Sequence, residues 1–187
     1  IPLRLVGSEM CIRDRSGISL PDAAEALAKV PAVPGRMEPV PAPGLGCRIF
    51  IDFAHTPEAL AKALEALRPM TPGRIIAVFG CGGCRDKGKR PLMGAAAGQY
   101  ADLTVLTSDN PRTEDPLAII RDILPGLSGP HLVIPDRREA IFRALDLARP
   151  GDTVILCGKG HETTQETGGH RLPMDERQII AEYINGS

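Results

Sequence analysis

The sequence predicts an α/β fold: a Rossmann-like, doubly wound and mostly parallel sheet with helices on both faces. From Cys47 onward, short and continuously apolar segments alternate with helical ones, which is typical of strands buried on both faces of a parallel sheet. Polar and glycine-rich segments follow four of the five predicted strands. Ligands bind at the carboxyl ends of the strands in such sheets, so these segments also predict the position of a site.

The composition is that of a globular chain without a nucleic-acid or membrane partner. The 187 residues carry 22 Lys and Arg against 23 Asp and Glu, whereas a nucleic-acid binder usually has a basic face. A hydrophobic fraction of 43% suits a packed core, and the longest apolar runs are too short to span a bilayer. Five cysteines form no even disulfide framework and no export signal is visible, so we expect a cytoplasmic protein.

Three segments precede the regular pattern. Residues 1–16 fit no periodic template and resemble a translated sequencing adapter, so we expect a spurious or disordered segment without function. Pro21–Val30 has helical periodicity. The closely spaced prolines of Pro31–Gly46 predict an interdomain linker. Residues 17–46 are therefore expected to hold the end of a central domain and the linker, and residues 47–187 the predicted domain.

Within that domain, strands and helices alternate. The strands are predicted at Arg48–Phe53, Arg74–Phe79, Leu103–Thr107, His131–Ile134 and Thr153–Cys157. The helices are predicted at Pro57–Leu67, Arg90–Tyr100, Pro116–Leu124 and Arg137–Ala148. Thr56-Pro57 and Asp115-Pro116 each offer an N-cap followed by proline in the first turn. Residues Glu162–Pro173 form a hairpin or loop, and a last helix runs from about Asp175 to Ile184.

The loop after the second strand, from Gly80 to Arg90, holds four glycines and four cationic side chains. Glycines let the backbone approach an anion closely, and the N-terminus of the following helix adds positive dipole charge. The loop matches neither the Walker A pattern nor G-x-G-x-x-G. It indicates an anion site, although a basic solvated loop explains it equally well.

Charged residues also follow the third strand, in the segment Asp109-Asn110-Pro111-Arg112. Arg112 can hold a carboxylate with two hydrogen bonds and Asp109 can accept from an ammonium group, so together they match the two ends of an amino acid. An Asn-Pro turn with incidental surface charges is the alternative.

The loops after the fifth and first strands supply further candidates. Glu162, in the segment Gly158-Lys159-Gly160-His161-Glu162, is expected at the same edge as Asp109, where it could bind a second ammonium group; the alternative is a glycine-rich connector with a solvated lysine and glutamate. Asp52 follows the first strand, and a carboxylate there commonly accepts from ribose hydroxyls. His55 is a nucleotide-site candidate or a structural histidine.

A competing hypothesis uses the cysteines. Cys81 and Cys84 form a CxxC at one strand end, and Cys157 with His161 could complete a Cys₃His zinc site. The CxxC could alternatively be a redox pair in a stand-alone module. Both versions leave the loops at Asp109 and Gly158 unexplained, so we favour the anion site and expect no metal.

These motifs together resemble the C-terminal domain of the Mur ligases, specifically of members that add meso-diaminopimelate. The matching segments are Val33–Glu38, Ile51–Leu60, Val78–Met93, Thr107–Pro116 and Gly158–Gln165. The resemblance covers the chain from about residue 20 to its end. It implies an ATP-dependent amide ligase of peptidoglycan synthesis that activates UDP-MurNAc-L-Ala-D-Glu as an acyl phosphate, which the incoming amino acid then attacks.

The resemblance also implies roles for individual residues. The meso-diaminopimelate pocket would consist of Arg85, Asp109, Asn110, Pro111, Arg112, Gly158 and Glu162. Arg85 would contact a carboxylate and Glu162 an ammonium group. The nucleotide would be contacted by Arg36, Asp52 and His55. No residue of this chain is assigned a catalytic role, and ATP and Mg²⁺ would be bound mainly by a central domain.

Two departures from the family pattern affect these expectations. The family has Asp where Cys84 stands, and the change adjoins Arg85, so it is expected to weaken the orientation of that loop. The family's UDP-sugar domain and its central ATPase domain have no counterpart in these residues. We therefore expect the 187 residues alone to lack ligase activity.

Overall fold

The computed structural model describes residues 16–30 and 32–186, which belong to two compact units divided between Ala32 and Val33. The first unit contains helix α1 (Leu20–Lys29), within one residue of the predicted helix. The Ser19 hydroxyl accepts a hydrogen bond from the Asp22 amide at 3.2 Å, the geometry of an N-cap. The predicted terminal segment lies outside the described residues except for Ser16.

The second unit is built on a six-stranded sheet. Its strands are β1 (Glu38–Val40), β2 (Arg48–Asp52), β3 (Ile75–Phe79), β4 (Leu103–Leu106), β5 (His131–Val133) and β6 (Thr153–Cys157). They lie in the order β1-β2-β6-β3-β4-β5. All neighbours are parallel except β1 and β2. The fold class predicted from the sequence is confirmed.

Helices follow the strands and cover both faces of the sheet. They are α2 (Pro57–Leu67), α3 (Lys89–Tyr100), α4 (Pro116–Ile123), α5 (Arg137–Leu147) and α6 (Glu176–Gly186). Thr56 and Asp115 cap α2 and α4 through their side chains, as predicted, and Asp136 caps α5 in the same way. The residue predicted to end α4, Leu124, instead opens a short 3₁₀ turn.

Each face of the sheet has its own apolar core. On one face, buried side chains of β3 such as Phe79 pack against α2, α3 and α4. On the other face, alternate residues of the same strands pack against α5 and α6. Strands β3 and β6 are buried along their whole length, which explains why they are continuously apolar rather than alternating.

Strand β1 lies inside the segment predicted to be a linker. It pairs antiparallel with β2, with Pro39 opposite Phe50. The sequence conceals this strand because proline interrupts it, and a strand can accept proline only at a sheet edge, where β1 lies. The compact unit thus begins at Val33, ahead of the boundary expected at residue 47.

The segment after β6 is the hairpin of β7 (Thr164–Thr167) and β8 (His170–Pro173), followed by α6. The hairpin stands apart from the main sheet but contacts the loop after β4 through a bridge between Arg112 and Thr167. Across residues 16–30 and 32–186, no helix combines the length and apolarity needed to cross a membrane.

Candidate functional site

A cavity of about 430 Å³ opens at the carboxyl edge of the sheet. The loops that follow β2, β3, β4 and β6 all contribute to it. Its lining residues are Phe53, His55, Gly80, Cys81, Gly82, Arg85, Asp86, Lys89, Asp109, Asn110, Arg112, Gly158 and Glu162. The sheet topology thus brings together the loops that the strand-end rule selected from the sequence.

Most of the predicted site residues meet in this cavity. Those predicted for amino-acid binding that line it are Arg85, Asp109, Asn110, Arg112, Gly158 and Glu162, and His55 of the nucleotide group joins them. Pro111 is buried within its own loop. Arg36 and Asp52 do not line the cavity.

The loop after β4 is held by backbone and side-chain contacts on both sides. Asp109 is 9% exposed and its Oδ1 accepts from the Asn110 amide at 2.7 Å. Arg112 has a left-handed φ of 56°, and its amide donates to the Glu166 carbonyl at 2.9 Å. Its Nη1 donates to the Gly83 carbonyl at 2.7 Å. The guanidinium is therefore fixed at the cavity wall.

Gly158 lets the loop after β6 approach Asp109. Its φ of 112° is one that L side chains rarely adopt. A Cβ at this position would lie 2.5 Å from Asp109 Oδ2. Any side chain here would therefore displace the carboxylate, which explains why the predicted pocket needs glycine at this point.

Glu162 lies beside Asn110 in the lining of the cavity. Asn110 Nδ2 donates to Glu162 Oε2 at 2.8 Å. Burial tends to raise the pKa of Glu162, but hydrogen bonds from Asn110 and Lys159 outweigh it, so that the pKa lies below its ordinary value. Glu162 is therefore ionised at neutral pH and suited to receive an ammonium group.

The loop after β3 is anchored by Arg90, one of the four cationic side chains that its sequence contains. Arg90 is 0% exposed. Its Nη1 donates to Glu114 Oε2 at 3.0 Å and to Asp122 Oδ2 at 2.8 Å. Glu114 also accepts from the Cys84 amide. Arg90 is thus unavailable to a ligand, whereas Arg85 is exposed at the cavity and no hydrogen bond or ion pair within the described residues engages it.

The Glu114 anchor also explains how the loop accommodates Cys84 in place of the family's Asp. Cys84 has a left-handed φ of 53°, a conformation that Asp adopts more readily than most residues. Its backbone amide, rather than its side chain, makes the bond to Glu114, and its Sγ lies 3.2 Å from Thr113 Oγ1. The bond to Glu114 therefore does not depend on which side chain stands at this position.

We expect Glu114 to contribute to acid stability. Hydrogen bonds from Arg90 and then from the Cys84 amide lower its pKa from 4.5 to about 2. A lowered pKa in the folded state stabilises the fold above the unfolded value, and this contribution disappears as the pH falls from about 4.5 to about 2. In Glu114→Gln, stability measured by urea unfolding should fall less steeply over this range.

The exposed Glu65 on α2 provides the control. Glu65→Gln should reproduce the acid profile of the unchanged chain. If Glu114→Gln also reproduces it, the Arg90–Glu114 pair does not determine acid stability.

The three residues predicted for nucleotide binding differ in accessibility. Arg36 is exposed and its guanidinium lies 4.8 Å from the centre of the Phe53 ring, and that ring lies 4.6 Å from the His55 ring. Asp52 is 8% exposed, and its oxygens accept from the amides of Met37 at 2.6 Å and Ala54 at 2.8 Å. In this structure the Asp52 carboxylate thus orders the backbone just before β1 and just after β2.

The cysteine alternative finds no support in the arrangement. Cys84 is exposed, whereas Cys81 and Cys157 are buried. Burial raises the pKa of the Cys81 thiol to about 12 and raises that of Cys157 as well, while metal binding and redox chemistry require thiolates. Among residues 16–30 and 32–186, no cluster of three His, Cys, Asp or Glu side chains is arranged to hold a metal.

A buried ion pair that the sequence did not indicate supports the cavity from behind. Arg137, the first residue of α5, donates to the Ser108 carbonyl at 3.1 Å and to the Cys157 carbonyl at 2.9 Å. Its Nε donates to Glu176 Oε1 at 2.9 Å, and both side chains are 0% exposed. The pair joins the ends of β4 and β6 to the start of α6, so it fixes the positions from which Asp109 and Gly158 reach the cavity.

Comparison with known proteins gives consistent matches. The family model described as "Mur ligase, glutamate ligase domain" matches residues 35–160. A UDP-N-acetylmuramoyl-L-alanyl-D-glutamate--2,6-diaminopimelate ligase from Caldanaerobacter subterraneus subsp. tengcongensis is 51% identical over 92% of this chain and 36% of its own. A solved structure of a ligase with the same name has a TM-score of 0.78 and 39% identity, covering 95% of this chain and 37% of its own.

A third match shares the fold at low sequence identity. The MurF ligase from Thermotoga maritima in complex with ADP has a TM-score of 0.60 at 19% identity, covering 95% of this chain and 36% of its own. At this identity the likeness concerns the fold alone. The chain spans about a third of the length of the curated relatives that it matches.

Proposed function

Because this chain belongs to the Mur ligase family, we propose that it forms the amino-acid-binding part of an ATP-dependent ligase. The proposed reaction, placed in the cytoplasm, adds meso-diaminopimelate to UDP-MurNAc-L-Ala-D-Glu. The names of the relatives support this substrate. We propose that α1, within the predicted segment of residues 17–46, belongs to the end of a preceding central domain, and that ligation requires parts beyond these 187 residues.

The balance of charge in the cavity is the observation that carries the proposal. Three cations and three anions line the same space. Lys89 donates to the His55 carbonyl at 2.7 Å and Asp86 accepts from the Gly88 amide at 2.8 Å. The others are two cations, Arg85 and Arg112, and two anions, Asp109 and Glu162. Meso-diaminopimelate carries two carboxylates and two ammonium groups, one of which must be deprotonated before it can react. Each arginine can receive a carboxylate, and each acidic side chain can receive an ammonium group.

The remaining residues would place the ligand. The Asn110 amide links the loop after β4 to Glu162, and Gly158 leaves room for the Asp109 carboxylate. Pro111 would act through the rigidity of its loop. No side chain of this part is proposed to take or give a proton in the reaction.

ATP would supply the phosphoryl group that activates the acceptor carboxylate, with Mg²⁺ as its counter-ion. The exposed side chains of Arg36 and His55 fit contacts with a nucleotide, because a guanidinium suits phosphate and an imidazole can stack or hydrogen-bond. Asp52 would meet a ribose only with the lone pairs that Met37 and Ala54 leave free.

Calorimetric titration of the chain with meso-diaminopimelate and with L-lysine tests the proposal. Lysine has the same two ammonium groups but lacks the distal carboxylate, so it leaves one arginine without a partner. We expect lysine to bind at least about tenfold more weakly, since a hydrogen bond to a charged group contributes about 1.5–3 kcal/mol. Equal affinities, or binding of neither ligand, would contradict the proposed substrate.

A further inference from the structure

Lys159 is a buried cation beside the cavity that the proposed binding scheme does not use. It lies between Gly158 and Gly160 after β6, and its side chain is 0% exposed. Lysine is almost never fully buried unless it is paired. Its Nζ donates to Asn110 Oδ1 and to Glu162 Oε2, both at 3.1 Å. Lys159 thus joins two residues that line the cavity without lining it itself.

These bonds fix the orientation of the Asn110 amide. Oδ1 accepts from Lys159 and also from the Glu166 amide at 2.9 Å. Both partners are donors, so only the oxygen can face them. The NH₂ group must therefore point the other way, where it donates to Glu162. A flip of this amide would turn its NH₂ group, itself a donor, toward the Lys159 ammonium and the Glu166 amide.

The same bonds leave one Glu162 oxygen for a ligand. Asn110 and Lys159 both donate to Oε2, whereas Oε1 accepts no hydrogen bond from any residue in the described part of the chain. The Glu162 side chain is 35% exposed and lines the cavity. Oε1 is thus the Glu162 oxygen available to an ammonium group.

We infer that Lys159 is a positioning residue for amino-acid binding: through Asn110 and Glu162 Oε2, it holds the Glu162 carboxylate with Oε1 open to an ammonium group of the ligand. The inference rests on the proposed function for the identity of that ligand. The link from Lys159 to Glu162 can be measured without any ligand.

Several charged groups surround Glu162 and share control of its ionisation. They are Lys159 and His161 on its own loop, Asp109 and Arg112 on the loop after β4, and Glu166 and Arg171 on the hairpin. Arg85, Asp86 and Lys89 are the other charged residues that line the cavity. Of these groups, Lys159 donates a hydrogen bond directly to the Glu162 carboxylate.

Lys159→Met removes the charge while keeping an unbranched side chain of similar length. Glu162 then loses a donor and a nearby cation, so its pKa should rise. Binding of meso-diaminopimelate at pH 7 should weaken about tenfold, and the loss of binding at acid pH should begin at a higher pH than in the unchanged chain. Lys62→Met, at an exposed position on α2, should bind and titrate like the unchanged chain.

The titration of Glu162 followed by carboxyl carbon NMR gives a readout that needs no ligand. Its signal is assigned by its absence in Glu162→Gln. If the unchanged chain fails to bind meso-diaminopimelate but Lys159→Met raises the Glu162 pKa, the proposed function fails and the positioning role stands. An unchanged Glu162 pKa in Lys159→Met would overturn the inference, whatever the affinity.

Lys159→Met leaves a partly buried carboxylate without its cation and could fail to fold. The double variant Lys159→Met/Glu162→Gln removes both charges. Recovery of folding in the double variant would support the assigned pairing. Failure of both variants to fold would show that Lys159 serves the core independently of Glu162, and would overturn the inference.

Discussion

Replacing Glu176 by alanine is expected to lower the free energy of unfolding by about 3–5 kcal/mol. Glu176 and Arg137 are both 0% exposed. Burial alone disfavours the charged form of Arg137, yet Glu176 and Asp109 hold its pKa above the ordinary value. Removing Glu176 leaves a buried guanidinium without its counter-ion. Since domains of this size are stable by only about 5–15 kcal/mol, the loss should be evident in urea unfolding.

Glu182 offers a matched control on the same helix. It pairs with Arg138 across the same two helices, but the side chains are 55% and 49% exposed. Exposed pairs contribute about 0–1 kcal/mol, so Glu182→Ala should have only that effect. Equal losses for the two variants would mean that burial of the Arg137–Glu176 pair does not determine its importance.

A second variant separates charge from packing. Replacing both partners with apolar residues, as in Arg137→Met/Glu176→Leu, should restore much of the stability that Glu176→Ala loses, because no buried charge remains unpaired. The carbonyls of Ser108 and Cys157 would still lose their donor. We therefore expect this double variant to be stable but to bind meso-diaminopimelate more weakly than the unchanged chain.

The sequence predicted the fold wherever local pattern and tertiary environment agree. Ile75–Phe79 and Thr153–Cys157 are continuously apolar because helices cover both of their faces, and they were predicted to within one residue. Strand β1 was missed because its pairing depends on a neighbour in space and its proline argues against a strand. The edge position that permits this proline is not a local property of the sequence.

The same distinction applies to the cavity. Parallel topology places strand ends at one edge, so the residues lining the cavity could be predicted from motifs at those ends. Arg90, Arg137 and Lys159 could not, because an arginine or lysine beside polar residues resembles a solvated cation. The burial of the two arginines follows from carboxylates distant in the chain, Glu114 and Glu176. Lys159 has a carboxylate partner three residues away, Glu162, and a distant amide partner, Asn110. Most of the residues proposed to bind the ligand line the cavity and could thus be predicted from the sequence, whereas those that support them could not.

Arg112→Lys is expected to weaken binding of meso-diaminopimelate by roughly 10- to 150-fold, which corresponds to the loss of about 1.5–3 kcal/mol from a charged hydrogen bond. Arg112 Nη1 is occupied by the Gly83 carbonyl, and Nε lies 3.4 Å from Glu166 Oε2. No residue in the described part of the chain accepts a hydrogen bond from Nη2. The substituted lysine side chain keeps the charge but lacks the planar guanidinium fork. It is therefore poorly suited to hold the Gly83 carbonyl and a ligand carboxylate at the same time.

The ratio of the affinities for meso-diaminopimelate and L-lysine then shows whether Arg112 contacts the ligand or only holds the loop. The ligand L-lysine lacks the distal carboxylate. If the Arg112 guanidinium contacts that carboxylate, the affinity of the chain for free L-lysine should change by less than about threefold in Arg112→Lys. Arg121→Lys is the control, because Arg121 is 69% exposed and lies 3.7 Å from Asp115 outside the cavity. An equal loss for both ligands would assign Arg112 to the architecture of the loop, through Gly83 and Glu166, and would leave Arg85 as the other arginine of the cavity that could select a carboxylate.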